Sequence, residues 1–356
     1  MLLCRRPAGG GYLLIGTPTD TLYRNRQSQM LETLFLEILI FTALYLLVSV
    51  LVNRLVVRNL ERVNKSLALI TAGHLNEVVA VEESSEFTKL SGDINTTVTA
   101  LRGFIDAAEK RMQEDLELAA QIQDSALPKN FQLLSENVEL YALMDPAKQV
   151  GGDFYDFFYI GPEQVALVIA DVSGKGIPAA MFMMRSKTAI KNFARSGMSP
   201  AKILEAVNNT LCEGNDAKMF VTVWLGILEV KTGHMRCANA GHEYPALMRA
   251  GGQYELLKDR HGFVLGGMED IPMREYEIQM EPGDRLYVYT DGVAEAINGQ
   301  EEQYGTARMT AQLNRLRNAP QEAALKGMRE DIRQFAGEAE QFDDITMLGI
   351  TYRQPE

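Results

Sequence analysis

Val165-Ala-Leu-Val-Ile-Ala-Asp171 and Leu286-Tyr-Val-Tyr-Thr-Asp291 are short apolar runs that each end in an aspartate, and Gln341-Phe-Asp343-Asp344-Ile-Thr-Met-Leu-Gly-Ile350 reverses the pattern, with two aspartates leading into the run. Runs of this length read as apolar strands. Antiparallel neighbours bring the end of one strand beside the start of the next. Asp171, Asp291, Asp343 and Asp344 are therefore expected to collect at one mouth of a sheet. Gly151-Gly-Asp153-Phe-Tyr-Asp156 opens a further strand and adds carboxylates at the same edge.

Singly, each of these aspartates is ordinary, because Asp-Gly is turn chemistry and Asp caps helices. Gathered, they repel and raise one another's pKa values unless a cation sits among them. An all-oxygen donor set selects Mg²⁺ or Mn²⁺ over zinc or copper. Two such ions roughly 3.5 to 4 Å apart activate water for in-line displacement at phosphorus without a protein nucleophile. Consistently, six residues after Cys4, Cys212 and Cys237 stand Gly10, Lys218 and Glu243, so no Cys-x5-Arg loop exists. His74, His234, His242 and His261 lack the spacing of a histidine metal cage.

Around these runs the spacing predicts strands over Val138 to Met144, Phe154 to Ile160, Val165 to Val172, Met219 to Val230, His234 to Ala240, Arg274 to Met280, Arg285 to Thr290 and Ile345 to Tyr352. Helices are expected over Ile177 to Arg195, Pro200 to Cys212, Ala307 to Leu316 and Gln321 to Phe335. Consecutive strands with paired helices give an α+β fold of packed antiparallel sheets flanked by helices. Met181, Met183 and Met184 in the first of these helices read as core filler.

The 356 residues suggest two or three modules. With 35 basic against 47 acidic side chains the net charge is −12, which argues against a nucleic-acid partner. Three scattered cysteines make neither a disulfide framework nor a four-thiolate zinc site.

Leu34 to Val52 is a largely apolar run whose only charge is Glu37 and is long enough, at roughly 28 Å, to cross a bilayer. A buried core helix is the alternative. Arg24 and Arg26 precede it, whereas Arg54, Arg58, Arg62 and Lys65 follow, which puts the C-terminal side in the cytoplasm. Residues 1–33 then form the remnant of an outer sensor region, and Met1 need not be the true start. Beyond the membrane, Val56, Leu60, Val63, Leu67 and Ile70 step by four and three. After a loop with Gly73 and Glu82-Glu83-Ser84-Ser85-Glu86 the stepping resumes at Phe87, Leu90, Ile94, Thr97 and Leu101, continuing to Ala126. Two such helices directly after a membrane span resemble a HAMP relay, although Asn59 stands where that family has a proline. The resemblance implies a homodimer; an amphipathic helix packed on the next domain would show the same spacing. The resulting division is 1–33, a transmembrane helix 34–53, HAMP 54–106, a coiled-coil linker 107–128 and a catalytic domain 129–356.

Gly151-Gly-Asp-Phe-Tyr-Asp156, Ala170-Asp-Val-Ser-Gly-Lys-Gly-Ile-Pro-Ala-Ala180, Asn239-Ala-Gly-His242, Tyr289-Thr-Asp-Gly-Val-Ala-Glu295 and Asp343-Asp-Ile-Thr346 together resemble the bacterial PPM-type metal-dependent serine/threonine phosphatases of the SpoIIE-like, sporulation and stress-response branch. Ala119-Ala-Gln-Ile-Gln123 and Leu127-Pro128 match that family's leading helix. The resemblance implies a β-sandwich between helical layers, two Mn²⁺ or Mg²⁺ ions, and a phosphorylated protein substrate, commonly a STAS-type anti-sigma-factor antagonist. It makes Asp171 the bridging ligand, with the Val172 carbonyl beside it. Asp291 and Asp343 would hold the second ion, and Asp344 would be a further ligand or a partner behind the ligands. Asp153 would orient water, with Asp156 as a further candidate. Gly174 and Gly176 would let backbone approach the phosphate. His242 would be a turn residue or a proton donor; Glu243-Tyr244 after it departs from the family's prolines. No counterpart of the phosphate-binding arginine of other branches is evident, which leaves phosphate to the metals. The expectation is a membrane-anchored phosphatase gated through HAMP, in the inner or plasma membrane. The rival is a catalytically inactive partner-binding module. A histidine kinase or cyclase is disfavoured, because neither a phospho-acceptor helix nor an ATP lid follows the HAMP segment.

Overall fold

The computed structural model describes residues 19–353 apart from 82, 135, 136, 259 and 260. Most of the expected outer segment, residues 1–18 with Cys4, and Glu82 of the acidic loop therefore lie outside the described residues. The chain divides into two units, Met1–Arg111 and Met112–Glu356.

In the first unit α1 (Thr19–Val52) contains the whole apolar run and passes through a single π turn, Asn53–Val57, into α2 (Arg58–Thr71). Its apolar side chains are exposed, Phe35 and Phe41 at 70% each. Among the described residues this is one helix long and apolar enough to cross a membrane, by length and composition. The π turn falls on Val56, where the four-three stepping was expected to begin. Asn59 is buried and returns a hydrogen bond from Nδ2 to the Leu55 carbonyl, 3.1 Å away. A connector then leads to α3 (Ser85–Ala126), within which the boundary of the two units falls. Val63, Val79 and Val81 form a small core with Leu67, Ile70, Phe87 and Ile94. The Asn95 side chain holds the connector by accepting from Val79 N–H and donating to Val79 O, both at 2.9 Å. Leu60, Leu90 and Leu101 stay exposed.

Among its described residues the second unit contains ten strands: β1 (Val138–Asp145), β2 (Phe154–Tyr159), β3 (Gln164–Val172), β4 (Val221–Glu229), β5 (His234–Ala240), β6 (Ala246–Met248), β7 (Tyr254–Leu256), β8 (Glu275–Gln279), β9 (Arg285–Tyr289) and β10 (Ile345–Tyr352). They form two antiparallel sheets, ordered β1-β10-β9-β6-β7 and β2-β3-β4-β5-β8. β3 is an interior strand buried on both faces, Val165 through Ala170 having no exposed surface. Alternation divides β10 between two layers. Leu348 and Ile350 join Leu167 and Leu225 in the core between the sheets, while Met347 faces Leu325 and Met328 on the outer side. Those two residues belong to α8 (Gln321–Ala336), which covers the first sheet with α7 (Gly305–Arg315); α4 (Ile177–Ala194) and α5 (Pro200–Cys212) cover the second. The result is the expected sandwich between helical layers.

α4 starts where it does because Gly176 sits at φ +76, outside the helix, and Pro178 fixes the first turn. Its methionines are divided: Met183 is buried as expected, whereas Met181 is 71% exposed.

Candidate active site

The carboxylates meet where the two sheets open at the same end. Phe154, the first residue of β2, pairs with Ala170 at the end of β3, and Ile345, the first of β10, pairs with Asp145 at the end of β1. Asp153 and Asp171 thus lie at the mouth of one sheet, and Asp291, Asp343 and Asp344 at that of the other. Thr290 joins them. Its hydroxyl donates to Asp153 Oδ2 at 2.7 Å, its amide donates to Thr346 O at 3.0 Å, and its Oγ1 accepts from Thr346 N–H at 3.0 Å. Both threonines and Asp153 are buried.

Burial, with the charges of Asp171 and Asp344 added, holds the Asp153 carboxyl well above the usual range, against the opposing hydrogen bonds of Thr346 and Thr290. Asp171 is pushed up to about 7, first by burial and then by Asp291 and Asp343. Asp291 rises to about 6, by burial and then by Asp343, Glu295 and Glu243. These shifts are the electrostatic signature of like charges forced together. Among the described residues no three His, Cys, Asp or Glu side chains stand close enough, as they are, to close around an ion. The donor chemistry nevertheless suits a hard divalent cation, because Asp171, Asp291 and Asp343 offer only oxygen and a cation relieves the repulsion between them.

Asp344 faces the loop between β1 and β2. Its Oδ1 accepts from Ala147 N–H at 2.8 Å, and its Oδ2 from Gly152 at 2.7 Å and Asp153 at 3.3 Å. Both oxygens accept from backbone amides, and Asp344 thereby clamps the loop that carries Asp153. The clamp explains three glycines. A Cβ on Gly151 would lie 2.2 Å from Asp344 Oδ2, one on Gly152 2.7 Å from the Val172 carbonyl, and one on Gly292 2.1 Å from the Asp344 carbonyl. Gly174 and Gly176 have open space around them and are required for their backbone, at φ +86 and +76.

Asp156 is elsewhere. It is buried on β2 beneath α4, where its carboxylate meets the Lys187 ammonium and lies 3.8 Å from that of Lys191. Its expected place at the carboxylate mouth is thereby corrected. His242 is a buried turn residue: its amide donates to Asn239 Oδ1 at 2.8 Å, Asn239 Nδ2 donates back to His242 O, and Nδ1 lies 2.8 Å from Thr222 Oγ1. Burial lowers its pKa to about 3, so it is neutral at physiological pH.

Two contributors have no assigned role in the sequence reading. Gln123, near the end of α3, donates to Gly151 O at 2.8 Å and accepts from Gly151 N–H at 3.1 Å, gripping the same loop from the other side. Its signal is the Ala119-Ala-Gln-Ile-Gln123 motif. Thr290 is the residue between an apolar strand and Asp291, and nothing in that pattern marks it. A cavity of about 330 Å³ lies beside Asp343, with Arg329 and Arg333 of α8 in its wall.

The family model described as Stage II sporulation protein E (SpoIIE) matches residues 161–353. Protein IcfG of Synechocystis sp. is 30% identical over 263 residues, which is 66% of this chain and 41% of that protein. Phosphoserine phosphatase RsbU of Bacillus subtilis is 31% identical over 189 residues, covering 52% of this chain and 55% of that one. The SiaA-PP2C domain of Pseudomonas aeruginosa superposes with a TM-score of 0.62 at 24% identity, over 69% of this chain and 99% of that domain, a likeness of fold. The chain spans about half the length of the curated relatives it matches.

Proposed function

The chain belongs to the Stage II sporulation protein E (SpoIIE) family, and on that premise we propose that residues 129–356 remove phosphate from phosphoserine or phosphothreonine of a regulatory protein. A STAS-type anti-sigma-factor antagonist is the substrate class. The observation that carries this reading is the meeting of Asp153, Asp171 and Asp291 with Asp343 at one mouth, where Thr290 bonds Asp153 across the two sheets. RsbU, a relative, bears the name phosphoserine phosphatase.

In this reading Asp171 and the Val172 carbonyl, with Asp291 and Asp343, would hold two Mn²⁺ or Mg²⁺ ions. When bound, such ions supply activated water at neutral pH and neutralise charge at phosphorus. Asp153, fixed by Thr290 and by the Asp344 clamp, would orient the attacking water through its carboxyl. Gly174 and Gly176 bend the loop so that backbone faces the phosphate. The full chain in detergent is expected to hydrolyse an aryl phosphate and a phosphorylated STAS protein with Mn²⁺, and neither with chelator. Binding of the phosphoprotein with no turnover under any metal would instead favour the inactive partner-binding module.

The remainder of the reading concerns placement and control. α1 anchors the chain once through the inner or plasma membrane, with the phosphatase domain in the cytoplasm, and the HAMP segment and linker pair two chains. Support for pairing comes from Leu90, Leu101, Ile105, Met112 and Ile122, apolar residues that a single chain leaves exposed. Gln123 supplies a route from the helix to the site, since it holds the loop next to Asp153 by two hydrogen bonds. Two residues inserted ahead of Ala119 rotate the seam by about half a turn. Turnover is then expected to change severalfold with Mn²⁺ affinity as the companion readout; equal turnover in the inserted and original chains would sink the relay.

A further inference from the structure

We propose that Lys175 is the residue that binds the phosphoryl oxygens, released for that duty from Asp343 when a cation takes the carboxylate. The inference rests on the phosphatase reading and deepens it, because the sequence has no evident counterpart of the phosphate-binding arginine of other branches.

Lys175 stands in the middle of the loop between Asp171 and α4. Its ammonium lies 3.1 Å from Asp343 Oδ2, hydrogen-bonds the Phe342 carbonyl, and sits 3.9 Å above the centre of the Phe342 ring. The base of the loop is pinned by a reciprocal pair at 2.9 Å: Ser173 N–H donates to Phe220 O, and Ser173 Oγ accepts from Phe220 N–H. Gly174 and Gly176, with positive φ on either side, then fix the turn that carries Lys175 over the carboxylates. The other lysines nearby are engaged elsewhere: Lys187 and Lys191 face Asp156 beneath α4.

Both partners of the Lys175–Asp343 pair are 29% exposed, so the pair is weak and exchangeable. A divalent cation is a stronger partner for Asp343 than one ammonium. Once displaced, the lysine keeps two anchors on Phe342, the carbonyl and the ring, and its charge stays at the mouth. A doubly charged phosphoryl oxygen cluster is then the natural partner for it, by a charge-assisted hydrogen bond. The loop thereby carries both halves of phosphate recognition, backbone bent by two glycines and one mobile cation between them.

The test compares Lys175→Met, which keeps the stem and removes the charge, with Lys175→Arg. Orthophosphate inhibition and KM for the phosphoprotein are measured on the full chain, and Mn²⁺ binding is titrated without substrate. Lys175→Met is expected to weaken orthophosphate inhibition and raise KM by about tenfold or more, as for loss of one bond to a charged group. Its Mn²⁺ affinity is expected to be unchanged or tighter, and Lys175→Arg is expected to restore phosphate inhibition. A Lys175→Met protein inhibited like the wild type, or one whose phosphate response falls only because Mn²⁺ binds less well, overturns the proposal. A wild type without Mn²⁺-dependent turnover defeats the phosphatase reading and this inference with it. A working wild type with an indifferent Lys175 defeats the inference alone.

Discussion

Asp171→Asn should lower Mn²⁺-dependent turnover by about a thousandfold and, in the same protein under chelation, raise the thermal midpoint at pH 8. The first effect follows from the several kcal/mol of charge stabilisation that a metal supplies, at tenfold per 1.4 kcal/mol or so. The second follows from the repulsion. Asp171 moves from an ordinary 3.8 up to about 7 in the folded chain, through burial and then through Asp291 and Asp343. Between those values the folded state binds more protons than the unfolded one, so stability of the chelated protein falls as pH rises from about 4 to about 7 and stays lowered above. Asparagine carries no charge to bury and removes that loss. Asp153, held well above the ordinary range by burial, and Asp291, raised to about 6, leave a smaller loss of stability with rising pH in the variant. Trp224, the chain's one tryptophan, is buried in the core of the second unit and reports its melting. Activity that survives the substitution removes the proposed site, and a chelated variant melting below the wild type at pH 8 removes the electrostatic account.

That pairing of loss and gain was partly open to reading from sequence. Ile345–Tyr352 begins where its apolar run does, because Asp344 breaks that run, and His234–Ala240, whose first residues alternate between partly exposed and buried, is bounded by Gly233 and Gly241. β6 and β7 went unseen because three residues show no period. Asp291-Gly292 reads as a turn; it opens a short helix, Asp291–Glu295, since the glycine is there to pass the Asp344 carbonyl. The convergence of Asp171, Asp291 and Asp343 follows from antiparallel topology. What Asp344 and Asp156 do follows from partners far along the chain, and every residue of β2 up to Phe158 is buried, so no alternation distinguishes which face Asp156 takes.

Asp156→Leu is expected to destabilise the second unit by about 3–5 kcal/mol, the cost of leaving one member of a buried ion pair without its partner. Asp156 is 2% exposed and Lys187 7%, and the lysine's pKa is already lowered, burial outweighing the carboxylate that raises it. Without Asp156 that lysine must lose its proton or pull free of α4's packed face. Lys187→Met should cost less, because Asp156 keeps the Phe157 N–H at 2.9 Å and Lys191 at 3.8 Å. The double variant, Asp156→Leu with Lys187→Met, should recover most of the loss, since two apolar side chains of similar length fill the space without desolvating a charge. Denaturant melts followed at Trp224 give the coupling energy directly. Additive single losses would show that the pair does not tie α4 to β2. A large coupling has a functional edge: α4 begins at Gly176, so the pair that sets α4 on the sheet also sets the loop that carries Lys175. In the Asp156→Leu protein, phosphate inhibition should therefore weaken along with stability and return in the double variant, whereas a loss confined to stability would separate the helix anchor from the loop.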